Sequence, residues 1–276
     1  MHLLIYLLLF VSPSNQKIVS GFVKDNNGNP LPYVNIVSIS KKNGTVTNDK
    51  GFFEINVEII DSIKFSHIAY KSKTVCVKDL KSDTIILVEN YISINEIVIK
   101  SSINSKSKTK LGFYGKDRKG EFILSPGNQI AVFIDNPKRK NALINSITFE
   151  VKKAGNCYSK LRLRLLDNPE NSMFPGRDLL LDNYIIENNY LSKTNTIDVS
   201  KSKVLLPQNG IFAVIEWLSI AYNCNEKSYP SLTANLSTKE NVIWFNFRDK
   251  RWNRPNIKPL PNGNYMTPNI SLSVTY

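Results

Sequence analysis

Along most of this chain apolar and polar positions alternate with a period of two, the spacing of a strand with one face covered. The clearest case is Leu161-Arg162-Leu163-Arg164-Leu165, which sends leucines to a core and arginines to the opposite face. In the first third, short runs at Lys17–Val23, Tyr33–Ile39, Phe52–Val57, Ser62–Ser66, Lys73–Val77, Asp83–Val88 and Ser93–Ile99 read as strands. Turn chemistry separates them. Asp25-Asn26-Asn27-Gly28-Asn29 precedes Pro30 and Pro32, and Asn48-Asp49-Lys50-Gly51 precedes Phe52. Asn and Gly tolerate positive φ, and Pro presets the extended entry to the next strand. Closely spaced strands with no helical period between them predict an antiparallel sandwich.

Lys100–Lys110 is Ser/Lys-rich with a single apolar residue, too polar to pack, and reads as a self-repelling linker. Beyond it, further strands are expected at Gln129–Ile134, Ile144–Val151, Leu161–Leu165, Leu179–Ile186, Ile211–Trp217, Val242–Phe247 and Ile270–Tyr276. Pro and Gly punctuate them at Ser125-Pro126-Gly127, Phe174-Pro175-Gly176 and Leu206-Pro207-Gln208-Asn209-Gly210. The prediction is an all-β chain: a sandwich over 16–100, a linker over 101–112, and a second, jelly-roll-like β-sandwich over 113–276. The last strand alternates as the closing strand of that sandwich. Amphipathic strands of about ten residues are too few for a membrane barrel.

With 276 residues the chain is long enough for two modest cores. An excess of 36 Lys+Arg over 23 Asp+Glu gives a net charge of +13, but the basic residues are scattered. Scatter favours a generally solvated basic surface over a dedicated polyanion site. The apolar run Leu3–Val11, followed by Ser12-Pro13-Ser14, suits a signal peptide over 1–15 and is too short for a stable membrane span. No Lys or Arg precedes the run, so an N-terminal strand or a misplaced start is the alternative. No Cys near the run supports a lipid anchor, and no other segment approaches transmembrane length. Cys157 and Cys224 form either a disulfide or two free thiols, while Cys76 alternates with Val75 and Val77 as a lone strand thiol.

Four blocks carry a resemblance. Gly21-Phe22-Val23-Lys24-Asp25-Asn26-Asn27-Gly28-Asn29-Pro30-Leu31-Pro32 with Tyr33-Val34-Asn35-Ile36 resembles the opening of the carboxypeptidase-regulatory-like (prealbumin-like) domain of exported Bacteroidetes proteins. Gly44-Thr45 with Thr47–Phe53, then Phe65–Lys71, is similar to its middle; Asp83–Leu87 and Ile94–Ile99 are similar to its end. The resemblance covers 17–99 and departs at Ala69, where the family carries a glycine. It implies a prealbumin-like sandwich serving as a structural or binding accessory, often ahead of outer-membrane receptors or surface domains. It carries no catalytic residues. The second half is only diffusely similar to the β-sandwich regions that follow this module.

The residues themselves argue against an enzyme. A zinc peptidase needs converging His and carboxylate ligands, yet the chain holds two histidines, one of them His2. His67 alone makes no such site and more readily satisfies a turn. Gly-x-Ser-x-Gly, Walker, Cys-x-x-Cys and dinucleotide motifs are missing, so no cofactor or metal is expected. The carboxylates Glu150, Asp167, Glu187 and Glu216 sit at strand positions, where a solvated or edge role is the commoner one.

The most site-like segment is Phe245–Arg254. A charged hairpin there carries Arg248, Arg251 and Arg254 beside Trp244 and Trp252, so aromatic faces for a sugar ring would sit next to arginine donors. Against this, both tryptophans could be core residues. A nucleic-acid groove needs aromatics along a whole basic track, and only this cluster has them. The expectation is a non-enzymatic, exported envelope protein, in the periplasm, at the outer membrane or on the surface. Its partner would be a glycan or an outer-membrane protein; the alternative is a structural interaction domain of a TonB-dependent-receptor-like system.

Overall fold

The computed structural model describes residues 16–40, 44–90, 108–115, 120–123, 127–152, 159–169, 172–180, 182–187, 193–220, 230–247 and 251–276. The expected leader, the strand at Ser93–Ile99, linker residues 101–107, Cys157, Cys224 and Arg248 lie outside these. The described chain is all-β, and no helix in it is long and apolar enough to cross a membrane.

The first unit comprises β1 (Gln16–Lys24), β2 (Asn35–Ser38), β3 (Gly44–Val46), β4 (Phe52–Glu58), β5 (Ser62–His67), β6 (Tyr70–Cys76) and β7 (Thr84–Ile86). They form two sheets, β4-β1-β7 and β3-β2-β5-β6. The alternation in β4 buries Phe53, Ile55 and Val57, which meet Ile36, Ile63 and Phe65 of the other sheet in one core. Two close approaches need glycine. A side chain on Gly51 (φ +73°) would press on the Val23 carbonyl, and one on Gly21 on the Asp83 carbonyl. The expected turn holds at Asp25, whose carboxylate accepts from the backbone N–H of Asn27 and Asn29 at 2.8 Å. One pairing departs from the antiparallel expectation: β7 joins β1 in parallel, from Phe22↔Thr84 to Lys24↔Ile86. The chain crosses between sheets after β6, so β7 cannot enter as a hairpin partner.

The second unit comprises β8 (Lys108–Gly112), β9 (Gly120–Phe122), β10 (Asn128–Ile134), β11 (Ala142–Lys152), β12 (Ser159–Leu166), β13 (Tyr184–Glu187) and β14 (Thr194–Asp198). It continues through β15 (Leu205–Leu206), β16 (Ile211–Ile220), β17 (Ser231–Thr238), β18 (Ile243–Phe247), β19 (Trp252–Asn253), β20 (Tyr265–Pro268) and β21 (Ile270–Thr275). One sheet runs β13-β12-β16-β10-β18-β19; the other runs β20-β17-β11-β21-β8, with β14 and β15 on β11 and β9 on β17. The expected linker boundary at 112 moves back, because Lys108–Gly112 is an edge strand paired with β21. Its lysines are exposed while Thr109, Leu111 and Gly112 are half-buried, so over 108–112 the charge read from composition as tether sits on an edge strand.

Register in the six-stranded sheet places the functional face. Residues opposite one another in an antiparallel pair share a face. Leu163, Ile215, Ile130 and Phe245 form one row across four strands and face the sandwich core. The neighbouring row, one residue over, is Arg162, Glu216, Gln129 and Asn246, and it faces the other way. All four of these polar residues are nonetheless buried. The first unit covers their Arg162 end.

Candidate functional site

The row begins at Arg162, directly opposite Glu216, with Nη1 donating to Oε2 at 3.2 Å. The side chains retain 3% and 1% of their exposure, so the pair is almost as dry as the core. A pair this dry is tolerable only when its remaining donors and acceptors are also satisfied. Here they are. Arg162 Nε donates to Asn183 Oδ1 at 2.9 Å, Nη2 donates to the Tyr33 carbonyl, and Asn35 Nδ2 donates to Glu216 Oε1 at 3.1 Å. Tyr33 and Asn35 belong to the first unit, which therefore seals the ion pair of the second.

Tyr33 is held in an unusual conformation for this purpose. Its φ is +59°, a region that an aromatic L-residue enters at a cost of order 1–3 kcal/mol. Its backbone N–H donates to the Thr47 carbonyl at 3.0 Å, and its carbonyl faces Arg162. Its hydroxyl donates to Asp49 at 2.5 Å and accepts from Lys160 Nζ at 2.6 Å. Lys160 reaches Glu187 at 3.2 Å as well and lies 4.6 Å from the centre of the Tyr33 ring. Burial pulls the Lys160 pKa down, but Tyr33, Glu187 and Asp49 outweigh it and raise it above the ordinary lysine value. The ammonium is therefore a fixed charge at neutral pH.

Beside this seam the two units enclose a cleft of about 550 Å³, within the roughly 300–1,000 Å³ range of small-ligand sites. His67 and Tyr70 come from the first unit; Gln129, Arg164, Arg177 and Asp178 come from the second. Arg164, held by Asp178 at 2.6 Å and Gln129 Oε1 at 2.8 Å, lies next to Arg162 along β12 on the same face. Burial raises the Asp178 carboxyl, with Arg164 opposing. His67 satisfies a turn, accepting from the Ala69 N–H at 3.3 Å through Nδ1, and its Nε2 lies 3.4 Å from Asn183 Nδ2. Burial, then Arg162 and Arg164, push its pKa down to about 3, so the imidazole is neutral. Further along the row, Asn246 Oδ1 is buried with no hydrogen-bond partner, opposite Gln129.

The hairpin expected to carry the site is arranged differently. Trp244 is fully buried, on the same face as Arg164 and Val214 and edge-on to Phe212. Arg254 lies over its ring at 5.0 Å and donates to the Asn241 carbonyl at 3.1 Å. No face of Trp244 is open to a sugar, which corrects its assignment as a contact residue; Ala131 and Phe212 pack where solvent was expected. Trp252, opposite Asn246, is half-buried and packs against the core. Arg251 and Arg254 are exposed, and Arg254 edges a shallow surface depression with Tyr265.

The other carboxylates singled out earlier are each engaged. Glu216 pairs with Arg162, Glu187 with Lys160 and Asp167 with Arg177, and Glu150 accepts from Thr233 and Asn269. Sequence reasoning sent Arg162 and Arg164 to the right face but gave no sign that the first unit would cover them. The one available signal was Glu216 in the otherwise apolar run Ile211–Leu218, a charge flanked by Ile215 and Trp217 that needed a partner.

Two comparisons with known proteins find likenesses to this chain. A TonB-dependent receptor of Formosa agariphila is 28% identical over 103 residues, covering 36% of this chain and 10% of the receptor. The chain thus spans about a tenth of the length of the curated relative it matches. The first unit itself, at residues 19–99, matches the family model of the CarboxypepD_reg-like domain.

Proposed function

We propose that this chain is a non-enzymatic protein of the cell envelope, in which the CarboxypepD_reg-like domain is docked on a larger β-sandwich and the cleft between them recognises a glycan. The observation that carries the reading is the Arg162–Glu216 pair, desolvated only because Tyr33 and Asn35 close over it. A buried pair contributes little net stability but strongly disfavours any arrangement that exposes or unpairs it. It therefore fixes the two units in one geometry and makes their shared cleft a defined surface. The side chains that could do acid–base work there are otherwise committed: Asp178 and Glu216 to arginines, His67 to the neutral form. Amide, hydroxyl and guanidinium groups are the usual partners of sugar hydroxyls. The setting in the envelope, with the outer-membrane receptor system as its neighbour, is supported by the likeness of 103 residues of this chain to part of a TonB-dependent receptor. Cell fractionation tests the setting: the chain should lie in the envelope fraction with its first residues removed. Full-length, uncleaved protein in the cytoplasm would overturn it.

A second reading, docking of another envelope protein, draws on the outer face of β1 and β4. There Phe22 and Phe52 pack edge-on as cross-strand partners while each keeps more than a third of its exposure, and Ile18 keeps 63%. Replacing both phenylalanines by Ser should abolish co-purification with an envelope partner under this reading and leave glycan binding unchanged.

A further inference from the structure

The first unit carries bare apolar side chains at the end it does not use for docking. Its docked end holds Tyr33 and Asn35, where β2 starts, with Asp49 and His67 also reaching the second unit. At the opposite end β2 finishes and β5 starts (Ser38↔Ile63), and Gln16 of β1 pairs with Glu58, the last residue of β4. Ile39, Ile59 and Ile60 stand there at 50%, 44% and 80% exposure, with Ile18 at 63% two residues along β1.

Neither packing nor turn chemistry accounts for these four residues. None of them belongs to the core of the first unit. Ile59 and Ile60 are the central residues of a tight turn, closed by the Asp61 N–H donating to the Glu58 carbonyl at 3.0 Å. Such positions favour Gly, Pro, Asn, Asp or Ser, so a pair of isoleucines works against the turn's own preference. The turn is nonetheless firmly held. The Asp61 carboxylate, buried at its base, accepts from Ser38 Oγ, from the Ser40 N–H at 3.0 Å and from the Ser62 N–H at 2.7 Å. Its carbonyl accepts from the Val77 N–H at 2.9 Å. Three segments of chain are thereby fixed at one point, and the isoleucines are presented on a rigid base.

Exposed apolar clusters mark contact surfaces. Two features favour a lipid surface as the contact. Ile60, on the apex of a turn, protrudes instead of lining a groove, and a protruding aliphatic side chain suits a fluid partner that closes around it. The second feature is the chain itself. β1 begins at this end, and the apolar run Leu3–Val11 stops five residues before Gln16. A run of that composition enters a bilayer during export, which brings this end of the unit to the membrane surface. Charge there is mixed, with Lys17 and Lys78 set against Glu58 and Asp79, so the isoleucines define the contact. We propose that the end of the first unit bearing Ile18, Ile39, Ile59 and Ile60 rests on a phospholipid surface. The isoleucines insert at the headgroup boundary, and the cleft between the units lies at the end turned away from the bilayer. This rests on the envelope setting above and goes beyond it; the glycan reading is independent of it.

The test is cosedimentation of the mature chain, recovered from the envelope fraction without its leader, with vesicles of phosphatidylethanolamine and phosphatidylglycerol. Recovery of that material decides the envelope setting by itself, so a failure with vesicles is read separately. The chain should pellet with the vesicles, and added salt should weaken binding only mildly, because apolar insertion is not screened. Ile59→Ser with Ile60→Ser should lower the partition coefficient about tenfold, with an unchanged melting curve because both side chains are exposed. Leu260→Ser, at an exposed apolar residue of the second unit, should leave it unchanged. No pelleting, or pelleting indifferent to the double replacement, would overturn the proposal. Pelleting abolished by salt would assign it to adsorption through the basic surface and overturn the insertion. A dimer in sedimentation equilibrium that the double replacement dissociates, without vesicle binding, would give this end to a second copy of the chain.

Discussion

Arg162 and Glu216 face each other across neighbouring strands at 3.2 Å, and the lid that dries them is contributed by a different folding unit. Removing one partner strands a charge, whereas removing both removes the desolvation cost too. Glu216→Gln or Arg162→Met alone should cost about 3–5 kcal/mol in urea denaturation. The double replacement Arg162→Met with Glu216→Leu should cost clearly less than the sum of the singles. An additive double variant would mean that the pair is not coupled.

The same seam should make the two units melt together. Lys160 and Asn35 bridge them through Tyr33, Asp49 and Glu216. Scanning calorimetry of the unmodified chain should show one transition, and an Asn35→Ala, Lys160→Ala variant should show two. Two resolved transitions in the unmodified chain would contradict a fixed docking.

How far this arrangement was legible in the sequence depends on what each residue reports. Local alternation reports a face, so β1, β4, β5, β10, β12, β16 and β21 were readable, and Arg162 and Arg164 were sent to the correct side of β12. Alternation says nothing about what lies beyond that face. A tethered unit returning to cover it is a long-range event, and His67, read from its turn, gave no hint of Asn183. Strand β17 was missed for another reason. Ser231, Thr233 and Asn235 look like a loop, yet they are buried because Asn269 donates to Thr233 and accepts from Asn235, with Glu150 completing the network. Polar residues that satisfy one another across strands carry no hydrophobic signal. Trp244 failed in the opposite direction: charged neighbours in sequence suggested a wet turn, while its cross-strand neighbour Ala131 places it in packing.

Acid should weaken the fold through His67 before Asp49, Asp61 or Glu121 titrates. His67 has a native pKa near 3 against an ordinary 6.5, so the unfolded chain takes up a proton that the native protein refuses. Its contribution is complete above about pH 6.5 and is lost as pH falls toward 3. Between pH 7 and 5 this amounts to about 2 kcal/mol. Asp49, Asp61 and Glu121, whose pKa values lie below the ordinary carboxylate range, lose their contributions only at lower pH. Urea midpoints at pH 7 and 5 should therefore differ in the unmodified chain and nearly coincide in His67→Asn. A midpoint that moves equally in both would assign the loss to another group.

The two tryptophans near the hairpin separate packing from recognition. Trp244 is fully enclosed between Phe212 and the Arg254 guanidinium, so Trp244→Ala should cost about 3–5 kcal/mol, as a large cavity in a core does. Trp252 is only half-buried, but it rests on the core opposite Asn246, and its truncation should cost about half as much. For a domain of this size that is a fall of several degrees in Tm. A sugar-stacking residue behaves otherwise: its loss would erase glycan retention and leave Tm nearly unchanged. The packing seen here predicts a lowered Tm for Trp252→Ala with glycan retention kept at temperatures where the variant is folded. An unchanged Tm together with lost retention would move the glycan site from the cleft between the units to the hairpin.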